Sequence, residues 1–176
     1  HCARHRDLPG RRLGETSQHL SERGLACPIA PHQTDAVTLV DAEGCAAQQD
    51  LGTGAQLTMK YPGIYLLGEQ AHAEIVSVAV ASKGQHQDTG AKAVHLAANT
   101  TSRIVGKSVS KDGGVSTYRG TVRVAPGATG VTTSVRCDAL ILDEGSRSET
   151  YPYIDIQEDD TSMSHEATVG RVSDDQ

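Results

Sequence analysis

Apolar residues from Leu57 onward occur in short runs rich in Val, Ile and Ala, which Gly, Asn and Asp separate. Short runs of this composition at a spacing of about a dozen residues are typical of β-strands joined by turns. No segment has the sustained 3.6-residue period of a long amphipathic helix. The pattern predicts an all-β chain, with turns at 111–114 and 125–127 and with strands at 57–61, 63–67, 74–81, 93–97, 102–109, 116–124, 131–136, 139–142, 151–156 and 167–172.

Two all-β architectures fit this spacing, a β-sandwich and a β-solenoid. The sandwich is the commoner fold. The solenoid is favoured by runs that stay apolar over consecutive residues, such as 75–80, and by small residues in place of aromatic ones. A narrow interior between stacked coils requires side chains of that size. The residues by themselves leave both architectures open.

Residues 1–50 have a different composition. They contain no Lys, three of the four Cys and three of the six Pro, and they show no sustained period. One short strand, 35–40, is predicted there. We therefore expect residues 1–55 to be an unrecognisable leader, either disordered or not native to the domain, and residues 56–176 to form the folded domain. Out-of-frame translation of a G+C-rich gene would produce such a composition.

Composition and charge exclude several functions. The chain of 176 residues has the size of one domain and contains no Phe or Trp, which excludes aromatic platforms for stacking bases. A formal net charge of −6 argues against a nucleic-acid-binding surface. Residues 143–176 alone carry a formal charge of −8, and the acidic run at 158–160 is expected to lie on a solvated face or in a solvated loop.

The chain also lacks the features of a membrane or secreted protein. No apolar run approaches the ~18 residues of a spanning helix, and the first twenty residues lack the apolar core of a signal peptide. The four cysteines show no disulfide or Cys-x-x-Cys spacing. Cys2, His5, His19 and Cys27 do not match the spacing of known zinc sites. We expect a cytoplasmic protein with free thiols, no membrane contact and no nucleic-acid partner.

Residues 84–92, GQHQDTGAK, superficially resemble a phosphate-binding loop. Five residues separate the two glycines instead of four, Ala91 stands before Lys92, and no Ser or Thr follows. The segment is instead interpreted as a polar turn in which the side chains of His86 and Asp88 bind loop backbone.

Several motifs in the second half of the chain occur together in a fixed order. They are LTMKYP at 57–62, GQHQDTGAK at 84–92, NTTS at 99–102, STYRG at 116–120, RCDAL at 136–140, SETYPY at 148–153 and HEAT at 165–168. Their order and spacing resemble the SufB/SufD family, and most closely its SufB branch, the scaffold subunit of the SUF iron–sulfur cluster assembly machinery. The resemblance covers 57–176, about two thirds of the chain.

This resemblance implies a right-handed parallel β-helix and a cytoplasmic complex with a SufC-type ATPase and a SufD-type paralogue, supplied by sulfur-donor proteins. A nascent iron–sulfur cluster, bound transiently, would form at the contact with the paralogue. The sulfur-accepting cysteine and the further coils of the family are not recognisable in residues 1–50. The chain also ends at Gln176, before the family's helical C-terminal region, so we expect a fragment that has lost its ATPase contact.

The family pattern implicates Cys137, Glu166 and His165 in cluster assembly, in that order. A transient cluster requires soft thiolate ligation that is loose enough for release, which one Cys with Glu and His partners would provide. Cys137 is predicted near a strand end, with a partly exposed thiol whose pKa Arg136 would lower. Along a regular strand His165 and Glu166 would point to opposite faces, so both reach one iron only at a turn or bulge.

Other residues of these motifs are expected to be structural. His95 is predicted to be a hydrogen-bonded core histidine and His86 a loop anchor. Arg119 is expected to pair with an acidic residue of a neighbouring coil, and residues 118–120 to shape a coil corner.

The favoured function is therefore an assembly scaffold that catalyses no reaction of its own. Two alternatives remain. One is a non-ligating SufD-like structural partner, and the other is a cysteine hydrolase with Cys137 as nucleophile and His165 as base.

Overall fold

The structure is a computed structural model that describes residues 55–172 in full and three earlier segments, 32–34, 37–40 and 45–52, in their backbone. All of them belong to one compact unit, Pro31–Gln176. The possible zinc arrangement around Cys2 lies outside the described residues. The boundary proposed near residue 55 stays a prediction.

The described residues form twelve strands and no helix, and so contain no helix able to cross a membrane. The strands are β1 (His32–Thr34), β2 (Val37–Val40), β3 (Cys45–Gly52), β4 (Leu57–Lys60), β5 (Gly63–Leu66), β6 (His72–Ala81), β7 (His86–His95), β8 (Thr101–Ser110), β9 (Val115–Val124), β10 (Val131–Ile141), β11 (Arg147–Ile156) and β12 (Thr161–Arg171).

The strands stack into the two walls of a β-solenoid. One wall contains β3, β6, β8, β10 and β12, and the other contains β1, β2, β4, β5, β7, β9 and β11. Every pairing is parallel. Val131 pairs with Thr161, so the last coil on this wall has a period of 30 residues. This confirms the predicted solenoid, and the sandwich alternative is wrong.

Alternate residues of each strand point into the narrow space between the walls. In β10, Val131, Thr133, Val135 and Cys137 are buried, whereas the residues between them are partly or fully exposed. The interior is filled mainly by small and branched side chains, and Tyr118 is the one aromatic residue in the main cluster of buried residues. A core without Phe or Trp is therefore compatible with close packing, because the walls are near each other.

His95 is a core histidine, as predicted. It is fully buried, its Nδ1 lies 2.8 Å from Thr100 Oγ1, and its Nε2 lies 2.9 Å from Ser102 Oγ. Ser102 Oγ in turn lies 2.7 Å from Thr133 Oγ1 on the next coil. Burial lowers the pKa of His95 to about 4, so the ring is neutral at physiological pH.

Corners at one edge of the solenoid stack from coil to coil. Asn99 adopts a positive φ of 56°, and its Nδ2 donates a hydrogen bond to Glu69 Oε1 at 3.0 Å. Gly130 (φ 68°) lies below Asn99, where a Cβ atom would come within 2.5 Å of Asn99 Oδ1. The backbone N–H of Gly130 donates to Asp160 Oδ2. The acidic run therefore lies in a corner, as expected, and caps the corner of the preceding coil.

Several strand predictions differ from the structure. The runs predicted at 131–136 and 139–142 form the single strand β10, and β1 and β3 were not predicted. The interpretation of 84–92 as a polar turn is wrong, because His86 begins β7 and Asp88 lies inside it. His86 Nε2 lies 2.9 Å from Thr117 Oγ1 of the neighbouring strand, so His86 is not a loop anchor. Residues 118–120 lie in the middle of β9 and do not form a corner.

Candidate functional site

Cys137 lies in the middle of β10 and its side chain points into the interior, where it is 6% exposed. Its neighbours in register are Gly106 on β8 and Ala167 on β12. The prediction of a partly exposed thiol at a strand end is therefore wrong. Strict alternation along an unbroken strand directs this side chain into the core.

The thiol of Cys137 is also less acidic than predicted. Burial raises its pKa to about 11, the neighbouring hydroxyl of Tyr118 opposes the shift, and the charge of Asp138 adds to it. Arg136 does not lower the pKa, because its guanidinium Nε donates to both carboxylate oxygens of Asp138 at 3.1 and 3.2 Å. A pKa raised in this way is the reverse of what activates a cysteine nucleophile.

Tyr118 is the residue beside Cys137 that the sequence analysis assigned to a different role. Its ring occupies a slot between two glycines: a Cβ atom at Gly106 or at Gly120 would come within 2.8 Å of the ring. The phenol is 8% exposed, and its oxygen has no hydrogen-bond partner among the described residues. The hydroxyl is nevertheless close enough to the thiol of Cys137 to lower its pKa. The sequence feature that could have indicated this role of Tyr118 is the presence of glycine at both inward-facing positions.

A small cavity of about 10 Å³ adjoins both side chains. The residues that line it include Thr89, Ser108 and Thr150, from three different strands. A space of this size holds roughly one water molecule. The surroundings of Cys137 are therefore closed on most sides, with hydroxyl groups at their edge.

His165 shares the inner face with Cys137. It pairs in register with Val135, two residues before Cys137, and side chains two residues apart lie on one face. His165 lines an apolar cavity with Tyr118 and Pro152. It remains exposed, because β12 is the last described strand of its wall and nothing described lies beyond it.

Glu166 lies on the outer face of the same wall. It pairs in register with Arg136, and both side chains are exposed. The register of β12 against β10 is unbroken from Thr161 to Arg171, so no bulge turns Glu166 inward. The structure thus places Cys137 and His165 on one face of the wall and Glu166 on the other.

A second polar cluster lies on the opposite wall. Arg119 Nε on β9 donates to both carboxylate oxygens of Asp88 on β7 at 3.1 Å, which confirms the predicted pairing between neighbouring coils. The guanidinium carbon also lies 4.8 Å from the centre of the Tyr151 ring on β11. The hydrogen bond and the charge of Asp88 raise the pKa of Arg119. This cluster ties three successive coils together.

Within residues 55–172, no three His, Cys, Asp or Glu side chains are grouped closely enough to hold a metal ion. Cys137 and His165 by themselves provide two candidate donors on one face. A cluster bound there would therefore require further ligands from other groups.

The sequence matches one known protein family over most of its length. The family model "SUF system FeS cluster assembly, SufBD core domain" matches residues 32–176. The chain belongs to the SufBD family. The match begins upstream of residue 57, where the sequence motifs begin, and it includes the strands β1 to β3.

Individual SufBD relatives are similar over most of this chain. It is 58% identical over 127 residues to an iron–sulfur cluster assembly SufBD family protein of Mycobacterium leprae, covering 72% of this chain and 15% of that protein. It is 51% identical to the iron–sulfur cluster assembly protein SufB of Bacillus subtilis, covering 72% of this chain and 27% of that protein. A SufBD family protein of Staphylococcus saprophyticus is 48% identical over 139 residues, covering 79% of this chain and 30% of that protein. The chain thus spans less than a third of each of these relatives.

Proposed function

We propose that this chain is the cluster-bearing part of a SufB-type scaffold, with Cys137 as the principal ligand of the nascent iron–sulfur cluster. The observation that carries the proposal is the position of Cys137, inside the solenoid beside the last described coil, with His165 on the same face. Similarity to a protein named SufB supports the choice of a scaffold over a SufD-like structural partner.

The chemistry of this thiol suits transient binding. A thiol whose pKa is about 11 is protonated at neutral pH, so iron must displace the proton before it can bind. Protons therefore compete with iron for the sulfur, and this competition weakens the binding of the iron. One thiolate with an imidazole partner also binds more loosely than four thiolates would. The cluster is in this view a cargo that the scaffold releases.

The partners follow from the same assignment. Tyr153 and Val169, on β11 and β12, are each 61% exposed, so the last described coil presents apolar side chains to a neighbour. A SufD-type β-solenoid would cover such a surface and contribute the missing ligands. A SufC-type ATPase and sulfur-donor proteins complete the cytoplasmic complex we propose, and ATP hydrolysis belongs to the ATPase.

Glu166 ranks lower as a ligand in this proposal than the sequence suggested. Its carboxylate faces outward beside Arg136, so it joins the ligand set only when β12 moves relative to β10. The ligand set of Cys137, His165 and Glu166 remains a prediction, and we place Cys137 and His165 first.

Anaerobic reconstitution tests the function. The chain, mixed with a SufD-type and a SufC-type subunit, would be incubated with ferrous iron and sulfide and followed by visible absorption. We expect charge-transfer bands of an iron–sulfur cluster that disappear when a chelator is added. A complex that forms but shows no cluster absorption would instead indicate a structural partner. Release of a chromophoric acid from an ester substrate would indicate the hydrolase.

A further inference from the structure

A cavity of about 160 Å³ opens on the outer face of the wall that contains β8, β10 and β12. The polar side chains that line it are Arg103, Ser134, Arg136, Ser164 and Glu166. One water molecule occupies about 30 Å³ of the liquid, so the cavity corresponds to roughly five water molecules. It is therefore large enough for a small organic molecule, unlike the cavity beside the buried thiol.

The strand register places these side chains in two adjacent rows. Arg103, Ser134 and Ser164 form one row, and Arg136 and Glu166 lie in the next row, two residues further along their strands. Residues two apart lie on one face, and the residues between them in β8 and β10 are buried. Neighbouring strands are about 4.8 Å apart. The solenoid thus brings five polar groups from three coils to one place on its surface.

Arg136 and Glu166 carry opposite charges and are neighbours in register, yet they form no ion pair with each other. The guanidinium of Arg136 donates instead to both carboxylate oxygens of Asp138. Within the described residues, the carboxylate of Glu166 and the hydroxyls of Ser134 and Ser164 have no hydrogen-bond partner. The cavity is therefore lined by a carboxylate and two hydroxyls whose hydrogen-bonding capacity the protein does not use.

Both guanidinium groups at the cavity also keep unused N–H donors. A guanidinium has five N–H groups. Arg103 donates from Nη1 to Glu74 at 3.1 Å, and Arg136 donates from Nε to Asp138. The remaining donors suit a carboxylate, which a guanidinium can bind through two parallel hydrogen bonds.

The charges around the cavity favour a ligand that carries both signs. Each guanidinium is already balanced by one carboxylate, from Glu74 or Asp138, and Glu166 adds a further negative charge. A simple anion would meet an excess of negative charge, and a simple cation would meet two guanidinium groups. A small zwitterion avoids both repulsions, because its carboxylate can face the arginines while its ammonium group faces Glu166.

We propose that this cavity binds a small free α-amino acid, whose carboxylate accepts hydrogen bonds from Arg103 and Arg136 and whose ammonium group donates to Glu166. The two serine hydroxyls, which can donate or accept, complete the contacts. A further strand in this wall would pair along the edge of β12, beside the outer face, so it would not cover the cavity. The site lies on the opposite side of the sheet from Cys137 and does not depend on the proposed cluster.

The test is a titration of the ¹⁵N-labelled whole chain with L-alanine, followed by the chemical shifts of the backbone amides. We expect changes confined to β8, β10 and β12 around the cavity, with a Kd on the order of 1 mM, because a ligand of about six non-hydrogen atoms makes few contacts. N-acetyl-L-alanine lacks the ammonium group and L-alaninamide lacks the carboxylate. Each should bind at least about tenfold more weakly than L-alanine.

Substitutions assign the two ends of the ligand. Glu166→Gln should weaken the binding of L-alanine about tenfold and should not weaken that of N-acetyl-L-alanine, which has no ammonium group. Arg103→Gln should also weaken L-alanine about tenfold. The matched control Arg123→Gln removes a similarly exposed, ion-paired guanidinium on the other wall and should have no effect. Cys137→Ser should bind L-alanine normally, so this site and the cluster assignment can fail separately.

The comparison of the three ligands uses only the unsubstituted chain, so it does not depend on the folding of any variant. If L-alanine at about ten times the expected Kd shifted no amide around the cavity, the proposal would be overturned. Equal binding of N-acetyl-L-alanine would overturn it in favour of an anion site, and equal binding of L-alaninamide would overturn it in favour of a cation site.

Discussion

Cys137 and Glu166 lie on opposite faces of the same wall. Glu166 follows Cys137 by 29 residues, whereas the register of β12 on β10 repeats every 30 residues, so Ala167 lies over Cys137 and Glu166 lies over Arg136. In a sheet, a shift of one residue reverses the face. The difference of one residue decides which motif residue can share a metal ion with the buried sulfur.

Substitutions at His165 and Glu166 should therefore have different effects on a soft metal ion bound at Cys137. We expect His165→Gln to weaken Cd²⁺ binding by the isolated chain about tenfold, because an inner-face donor is lost. Glu166→Gln should leave the affinity within about twofold, because its carboxylate faces outward. The measurement is titration of the sulfur-to-cadmium charge-transfer absorption. Equal weakening by both variants would show that Glu166 reaches the inner face.

The ion pair of Asp88 with Arg119 should matter more for stability than exposed pairs do. The carboxylate of Asp88 is nearly buried, whereas the pair of Glu74 with Arg103 is exposed on both sides. We expect Asp88→Asn to lower Tm by several degrees, since it leaves the Arg119 donor without its charge partner. The matched variant Glu74→Gln should change Tm by no more than about 1 °C. Similar effects in thermal unfolding would contradict the assignment of Asp88 as the stronger tie between coils.

Much of the fold was predictable from the sequence, and the reasons for the failures are physical. Turn residues and β-rich runs located the strands, because each coil repeats the same local chemistry. The segment 86–92 was missed because its polar side chains suggested a turn, although Asp88 and His86 are paired with the next coil. Local sequence does not reveal partners about 30 residues away.

The site was predictable only in part. The resemblance indicated Cys137, His165 and Glu166, but not which of them share a face. That assignment requires the length of each coil to within one residue, which the corners determine. The burial of Cys137 followed from an unbroken strand where two were predicted, and Tyr118 became visible only when two glycines on different strands were placed against its ring.

Filling the tyrosine slot should destabilise the solenoid. We expect Gly106→Ala or Gly120→Ala to cost about 1–3 kcal/mol in the free energy of unfolding, because the new methyl group would overlap the Tyr118 ring. At Gly63, by comparison, a Cβ atom would make ordinary contacts at 3.6 Å or more. Urea denaturation of the three variants is the measurement. If Gly63→Ala were as unstable as the other two variants, the loss of stability could not be attributed to overlap with the Tyr118 ring.

The buried histidine should make the fold sensitive to acid. The folded pKa of His95 is about 4, below its ordinary value of 6.5, so the unfolded chain binds the proton first as the pH falls. Its contribution is fully present above pH 6.5 and is lost progressively towards pH 4, in total about 3 kcal/mol. Denaturation between pH 7 and 4.5 should therefore show a steeper loss of stability for the unsubstituted chain than for His95→Gln. Parallel pH profiles would contradict this account.

The ligand role of Cys137 is tested most directly by the iron and sulfide content of a complete SufB-type complex that carries Cys137→Ser. A serine hydroxyl has nearly the same size but is not ionised near neutral pH, so it removes the soft ligand with little change in volume. We predict that the complex assembles and contains no cluster, while the control Cys45→Ser builds a normal amount of cluster. Cluster assembly that survives Cys137→Ser in an intact complex would show that the ligands lie elsewhere.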